Sequence, residues 1–203
     1  VRFAIAVTDL GGGLSNGMGA VMGSKNIKAI VVKGNNQVPV AYPEKLNEIN
    51  KTVTSLRKGL SGSFYKAPIM INGVKKLNMS PCYGCPDGCA RATFQHTSGE
   101  IGTRKNCGSA HFYRPWDTKY NKGKQTEIPF LATQLCNQYG ICTQEVANII
   151  DWLNHCFEKG VLSEGKTGLP LSKIGSYEFI QTLTGMIAGR KGFGDILAEG
   201  TRR

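Results

Sequence analysis

The sequence predicts an α+β chain: the end of a β domain over residues 1–40, then a mainly α-helical domain over residues 41–203. Three observations carry this. Val1-Arg2-Phe3-Ala4-Ile5-Ala6-Val7 alternates as a strand does, and Ile27-Lys28-Ala29-Ile30-Val31-Val32-Lys33 has the β-branched content of a second strand. From Pro43 onward the apolar residues recur at helical spacing instead. Within the helical part lies Pro81-Cys82-Tyr83-Gly84-Cys85-Pro86-Asp87-Gly88-Cys89, a turn-rich stretch with three cysteines at C-x2-C-x3-C spacing.

Between the two strands runs a glycine-dense segment, Asp9 to Lys25. Glycines let backbone N–H groups approach a ligand, often a phosphate. The Gly-Lys-Ser/Thr of a P-loop is absent, as are the helix and acidic residue of a dinucleotide site, so plain turn and ligand cradle both remain open. Pro43 suits the first position of a helix whose stripe is Leu46, Ile49, Val53 and Leu56. Residues 59–80 read as irregular, residues 91–96 as a short strand, and residues 98–124 show little periodicity.

Residues 127–139 predict a helix with Pro129 in its first turn and Gly140 as its C-cap. Thr143 is the expected N-cap of the next helix, striped by Val146, Ile149, Ile150, Leu153 and Phe157. Ser176 opens a third, with Phe179, Ile180, Leu183 and Ile187 inward, and Gly192-Phe193-Gly194 breaks it before another begins at Asp195. A lone histidine such as His96 or His111 reads as structural rather than as a ligand.

Composition narrows the class. At 40% hydrophobic and 19% charged residues the 203-residue chain is ordinary for a soluble globular protein. Seven cysteines do not make a disulfide framework, and a reducing or anaerobic cytoplasm suits them. No apolar run is long enough to span a membrane. The chain starts without Met in a strand and stops in a helix still under way, which predicts an internal fragment of a longer protein. Lys and Arg run along the whole chain, giving a net charge of +11 without any nucleic-acid-binding motif. A plain solvated surface explains the charge, and so does attraction to an anionic cofactor, an anionic substrate or an acidic electron-transfer partner.

The cysteine loop carries the sharpest chemistry. Three thiolates there can converge on a soft metal, zinc or the irons of an iron–sulfur cluster, with Pro86 and Gly88 turning the chain. Either centre wants a fourth ligand. A disulfide-bonded loop and a zinc-stabilised non-enzymatic binding domain are the competing readings. A zinc ribbon would show a second C-x2-C, whereas Cys107, Cys136, Cys142 and Cys156 are isolated. Cys142 sits where a helix N-terminus favours a thiolate or an anionic ligand; a small packed turn explains it equally.

Four segments in order resemble the tungsten-dependent aldehyde:ferredoxin oxidoreductase family. Gly17-Met18-Gly19-Ala20-Val21-Met22-Gly23-Ser24-Lys25-Asn26-Ile27-Lys28-Ala29-Ile30 is similar to its G-x-G-A-V-M-G-S-K-N-x-K-A-I signature. The cysteine loop resembles its cluster-binding segment, and Asn137-Gln138-Tyr139-Gly140-Ile141-Cys142 its pterin-binding D-x-x-G-L-D/C turn. Gly194-Asp195-Ile196-Leu197-Ala198-Glu199-Gly200 is similar to its G-D-x-L-A-E-G. The resemblance covers essentially the whole chain.

It implies an enzyme that oxidises aldehydes to carboxylic acids at tungsten (or molybdenum) held by two molybdopterins, passing electrons through a [4Fe-4S] cluster to ferredoxin or a partner iron–sulfur subunit. Residues 1–40 would end the pterin-cradling β domain. Ser15, Asn16, Gly17 and Gly19 would approach one pterin, and Asn137, Ile141 and Cys142 the other. Cys82, Cys85 and Cys89 would hold the cluster, with the fourth ligand beyond residue 203. A small-molecule substrate, no nucleic acid and an oligomeric full-length protein complete the expectation; no catalytic residue is assigned.

This sequence also departs from the family pattern. Asn137 replaces the usual Asp, Cys142 stands where Asp is usual, and Ser15-Asn16 replaces a basic residue before Gly17. The Glu of an E-Y-E-T-like segment is missing from Thr103-Arg104-Lys105-Asn106-Cys107. That region resembles rather more the tungsten subunit of ATP-independent benzoyl-CoA reductases, implying a reductase for a thioester or aromatic acid as the alternative.

Overall fold

The computed structural model describes residues 1–8, 13–14, 16–36, 38–58, 74–79, 92–97, 101–105 and 112–201. Its mass is helical. In chain order the elements are β1 (Ala6–Val7), β2 (Gly13–Leu14), α1 (Met18–Ser24), α2 (Pro43–Lys58), β3 (Val74–Met79), β4 (Ala92–His96) and β5 (Ile101–Lys105). Then come α3 (Arg114–Tyr120), α4 (Ile128–Gln138), α5 (Thr143–Glu158), α6 (Glu164–Thr167), α7 (Tyr177–Gly189) and α8 (Phe193–Leu197).

The core lies among α4, α5 and α7, where the predicted stripes turn inward. Val146, Ile149, Ile150 and Leu153 of α5 meet Phe179, Ile180, Leu183 and Ile187 of α7, all buried, with Ala132, Leu135 and Cys136 of α4. Leu169, Leu171 and Leu197 close the ends. Buried polar groups there are satisfied within helices: Thr133 donates to the Pro129 carbonyl and Thr184 to that of Ile180. Buried Asp117 accepts from the Thr126 N–H and hydroxyl and from the Asn121 amide, which shapes the turn between α3 and α4.

The helix ends follow their sequence signals. Gly140, at φ +65°, ends α4: its N–H bonds the Asn137 carbonyl and the Ile141 N–H bonds that of Cys136. Both bonds together form a Schellman cap. Gly160 ends α5 in the same way, through Phe157 and Cys156. Ser176 caps α7, its hydroxyl accepting the Phe179 N–H at 3.1 Å. The N-cap of α5 is Cys142 rather than Thr143, which is the first helical residue.

The first forty residues differ from the two-strand expectation. Of residues 1–8, only Ala6–Val7 forms a strand, paired with Gly13–Leu14, plus an isolated bridge from Ala4 to Ile141. The glycine segment contains a short helix, α1. Residues 27–33 form no strand: β-branched content favours extension, but a ladder needs a neighbour, and none is present among the described residues. Val31 is 90% exposed and Val32 89%. The α2 stripe is helical as predicted, yet Leu46, Ile49 and Leu56 are exposed.

A three-stranded antiparallel sheet, order β3-β4-β5, stands where the sequence read only one short strand. Met79 pairs with Ala92, so the segment holding Cys82, Cys85 and Cys89 connects β3 to β4. Those three cysteines, with Cys107 and His111, lie outside the described residues. No helix among the described residues is long and apolar enough to cross a membrane.

Candidate functional site

Residues 3–5 join the segments that the sequence had separated. In an extended strand successive residues direct their hydrogen-bonding groups to opposite edges. At one edge the Phe3 carbonyl accepts from the Cys142 N–H at 3.1 Å, and the Ile5 N–H donates to the Gly140 carbonyl at 2.7 Å. At the other edge the Ala4 carbonyl accepts from the Gly19 N–H at 3.0 Å. The 137–142 turn and the glycine segment therefore both bond to the same short stretch, and the Ile5 carbonyl oxygen lies near both Gly19 and Gly140.

Glycine is required on the α1 side. A Cβ on Gly19 would fall 2.4 Å from the Ile5 carbonyl oxygen and 3.0 Å from the Ala4 carbonyl carbon. Gly17, the N-cap of α1, is left-handed at φ +85°, a conformation L side chains rarely adopt. Asn16 is exposed beside it, and Ser15 lies outside the described residues. A groove of about 820 Å³ runs between α1, residues 5–8 and the extended 27–31 segment; Ile5, Gly19, Met22 and Ile30 are among its walls. That volume falls within the range of small-molecule sites.

On the other side, Asn137 is half-buried in the last turn of α4. Ile141 is 1% exposed and belongs to the core, so a ligand would meet its main chain, not its side chain. The half-buried Cys142 thiol takes no part in capping α5. The Asn137 amide, the Cys142 thiol and the backbone of Gly17 and Gly19 thus lie around residues 3–5, groups able to hydrogen-bond a ligand that carries ring nitrogens and a phosphate.

The 194–200 segment fastens the same strand from its start. The Arg2 N–H donates to the Ala198 carbonyl at 3.0 Å, and the Arg2 guanidinium pairs with Glu199 at 2.6 Å. Glu199 also pairs with Arg190, which holds Asp195. Gly194 packs against the α7 backbone, where a Cβ would lie 2.4 Å from the Met186 carbonyl. Buried Glu145, in the first turn of α5, accepts from both the N–H and the hydroxyl of Thr201. The sequence marks Glu145 as opening the first turn of α5 but not its bond to Thr201, and it gives no local signal for Arg2, because the partners lie 56 and 197 positions away.

His96 is held structurally. Its Nε2 lies 2.8 Å from Glu127, and its ring stacks on Phe130 at 5.9 Å between centroids. Glu127 caps α4, so this pair ties the strand that follows the cysteine segment to the helix that ends in the 137–142 turn.

Residues 32–203 match the family model described as aldehyde ferredoxin oxidoreductase, domains 2 and 3. The tungsten-containing aldehyde ferredoxin oxidoreductase of Pyrococcus horikoshii is 30% identical over 226 residues, covering 92% of this chain and 36% of its own length. The protein of that name from Pyrococcus furiosus is 27% identical over 224 residues, with the same coverage. A Pyrococcus furiosus aliphatic sulfonate oxidoreductase, WOR-like subunit, is 26% identical over 237 residues, covering all of this chain and 38% of its own. The chain thus spans little more than a third of the length of these relatives.

Proposed function

Because the chain belongs to the aldehyde ferredoxin oxidoreductase family, we propose that it forms part of a tungsten (or molybdenum) bis-pterin enzyme that oxidises an aldehyde to a carboxylic acid. In the overall reaction the carbonyl carbon takes an oxygen from water and gives up its hydrogen; two electrons and two protons leave. A [4Fe-4S] cluster, held by Cys82, Cys85 and Cys89, would supply the one-electron relay needed to hand these electrons to two molecules of a carrier such as ferredoxin. When bound, the metal between two dithiolenes supplies a two-electron acceptor and a cation that polarises the carbonyl oxygen.

The observation that carries this reading is the meeting of two pterin-type segments on residues 3–5. The backbone around Ser15, Asn16, Gly17 and Gly19 is assigned to one pterin, with Gly19 leaving no side chain between α1 and the strand. The Asn137 amide is assigned as a donor and acceptor for ring nitrogens of the other, with the Ile141 main chain and the Cys142 thiol beside it. An uncharged amide at Asn137 can pair with either protonation state of those nitrogens. Cys82, Cys85 and Cys89 are assigned to the cluster, its fourth thiolate coming from outside this chain. The end of a pterin-cradling domain over residues 1–40, a helical domain over 41–203, a cytoplasmic setting and an oligomeric full-length enzyme belong to the same proposal.

A second reading is a family reductase acting on a thioester or aromatic acid within a larger electron-transfer complex. The missing carboxylate at residues 103–107 and the likeness to a relative named as a subunit favour it. One preparation decides both. Full-length protein purified without oxygen is expected to contain tungsten or molybdenum together with iron and labile sulfide, and to reduce a viologen dye with aldehydes. Absence of both metals with iron near zero would sink the enzyme reading; cluster reduction that ignores aldehydes would favour the second.

A further inference from the structure

Residues 1–5 are lightly held. Of their side chains only Phe3 is buried; Val1 packs at the edge of the core and Arg2 is exposed. The strand that continues them, β1, pairs over two residues. The 194–201 segment beside them is seated more firmly. Leu197 and Ala198 are buried in the core, and Gly194 lies against the α7 backbone with no room for a Cβ. A stretch with few buried contacts opens locally while a well-packed neighbour stays in place.

Two sets of contacts join that segment to the site. The first is exposed and ionic. Arg190, the residue after α7, pairs with both Asp195 and Glu199, and the other oxygen of Glu199 pairs with Arg2 at 2.6 Å. An isolated pair so exposed contributes little, but here four charges alternate in sign and share partners, so ordering one side chain helps order the next. Dissolved salt screens such a chain. The second set is buried. Gly200 lies against the Phe3 ring, where a Cβ would come within 3.5 Å of it. Beside it one oxygen of the buried Glu145 carboxylate accepts both the N–H and the hydroxyl of Thr201. Hydrogen bonds to a carboxylate shielded from water respond far less to salt. A ring of contacts results: Arg2 on Ala198, Phe3 on Cys142, and Thr201 on Glu145, three residues further along the chain from Cys142.

We propose that these contacts form a salt-sensitive latch over the 137–142 turn. When the Arg2–Glu199–Arg190–Asp195 chain breaks, residues 1–5 come away as a unit. The Ile5–Gly140 and Phe3–Cys142 bonds are released together and the turn is uncovered, while α5 and α7 stay folded. The Glu145–Thr201 bonds hold the 198–201 end on α5 in the open state, so that residues 1–5 find their seat again on closing. Access to the turn is then set by ionic strength. That the uncovered turn admits or releases a pterin rests on the function proposed above; the opening itself does not.

Full-length protein is exchanged in deuterated buffer at low and high salt. Peptides carrying Ile5, Gly19 and Cys142 are compared by mass spectrometry with peptides from the interiors of α5 and α7. Raising NaCl from about 0.05 to about 1 M is expected to speed exchange of the first set at least ~3-fold and to leave the second within about two-fold. Arg190→Gln removes the charge but keeps a long polar side chain. It should exchange at the fast rate already at low salt and show no salt response. Lys173→Gln breaks a similarly exposed pair, with Glu178 at the opposite end of α7, and should behave as wild type. Thr201→Ala weakens the buried contact and should speed exchange of the first set about 3- to 10-fold at both salts, with the salt response intact. The absence of a salt response, an equal response in α5 and α7, or one that persists in Arg190→Gln overturns the latch and leaves a fixed staple. Pterin is assayed in the same samples. Salt-dependent opening in a protein without pterin supports the latch and overturns the cofactor reading of the turn; bound pterin without such opening overturns the latch alone.

Discussion

Gly19 and Gly23 sit four residues apart on α1 and look equivalent in a list of glycines. Around Gly19 the Ile5 carbonyl leaves no room for a methyl group, whereas nothing lies within 4 Å of a Cβ on Gly23. Gly19→Ala is expected to cost about 1–3 kcal/mol, because the backbone of residues 4–5 cannot yield as a flexible side chain would. Gly23→Ala should be neutral or stabilising by up to about 1 kcal/mol, from helix propensity alone. Thermal melts of the two full-length variants measure the contrast, and equal shifts would mean that the strand does not seat against α1. The sequence marked this segment as dense in glycine. Which glycine is indispensable was hidden, because the obstructing atoms come from a strand fourteen positions earlier.

Between elements, Tyr113 links α3 to α7. Its hydroxyl donates to the Ser176 carbonyl at 2.8 Å and accepts the Gly175 N–H at 3.1 Å, just where Ser176 caps α7. Burial raises the phenol well above its ordinary value, more than the Gly175 bond lowers it. A phenol raised on folding gives its full stability below the unfolded value of about 10 and loses it as pH climbs from there toward the folded value. Tyr113→Phe should cost about 1–3 kcal/mol at neutral pH, since it strands a buried N–H and carbonyl. It should also weaken the alkaline fall in stability above about pH 10. Urea unfolding on both sides of that pH tests the pair of effects; an unchanged alkaline slope would assign the fall to other groups. The stripes of α5 and α7 were legible in the sequence because burial imposes their period. β3, with Lys-Lys-Leu-Asn, and β5, with Gly-Thr-Arg-Lys, were not, since pairing with β4 rather than alternation forms them. For α2 the period gave the helix but not a burial partner, which periodicity does not contain.

Across the whole molecule, the segments at 17–19, 137–142 and 194–200 were each visible in the sequence, but their meeting was not. Residues 2–5 accomplish it, through backbone hydrogen bonds to Ala198, Gly140, Cys142 and Gly19 and through the Arg2 guanidinium on Glu199, with the Phe3 side chain buried in the core. Net charge was legible as a total and not as a place: the basic residues are spread along the chain, but nine acidic ones cancel those of the helical body.

The 135-position span between Ile5 and Gly140 has a kinetic consequence. Closing so long a loop costs about 4 kcal/mol of chain entropy before any contact compensates, while the α4 and α5 ends form from neighbours within a few residues. The helical body is therefore expected to assemble first and the N-terminal strand to close last. In pulse-labelled hydrogen exchange during refolding, the amides of Ile5, Gly19 and Cys142 should become protected after those within α5 and α7. Simultaneous protection would contradict this order. On that timetable the N-terminal segment acts as a late-closing clasp, fastened only once the helical body that it grips has formed.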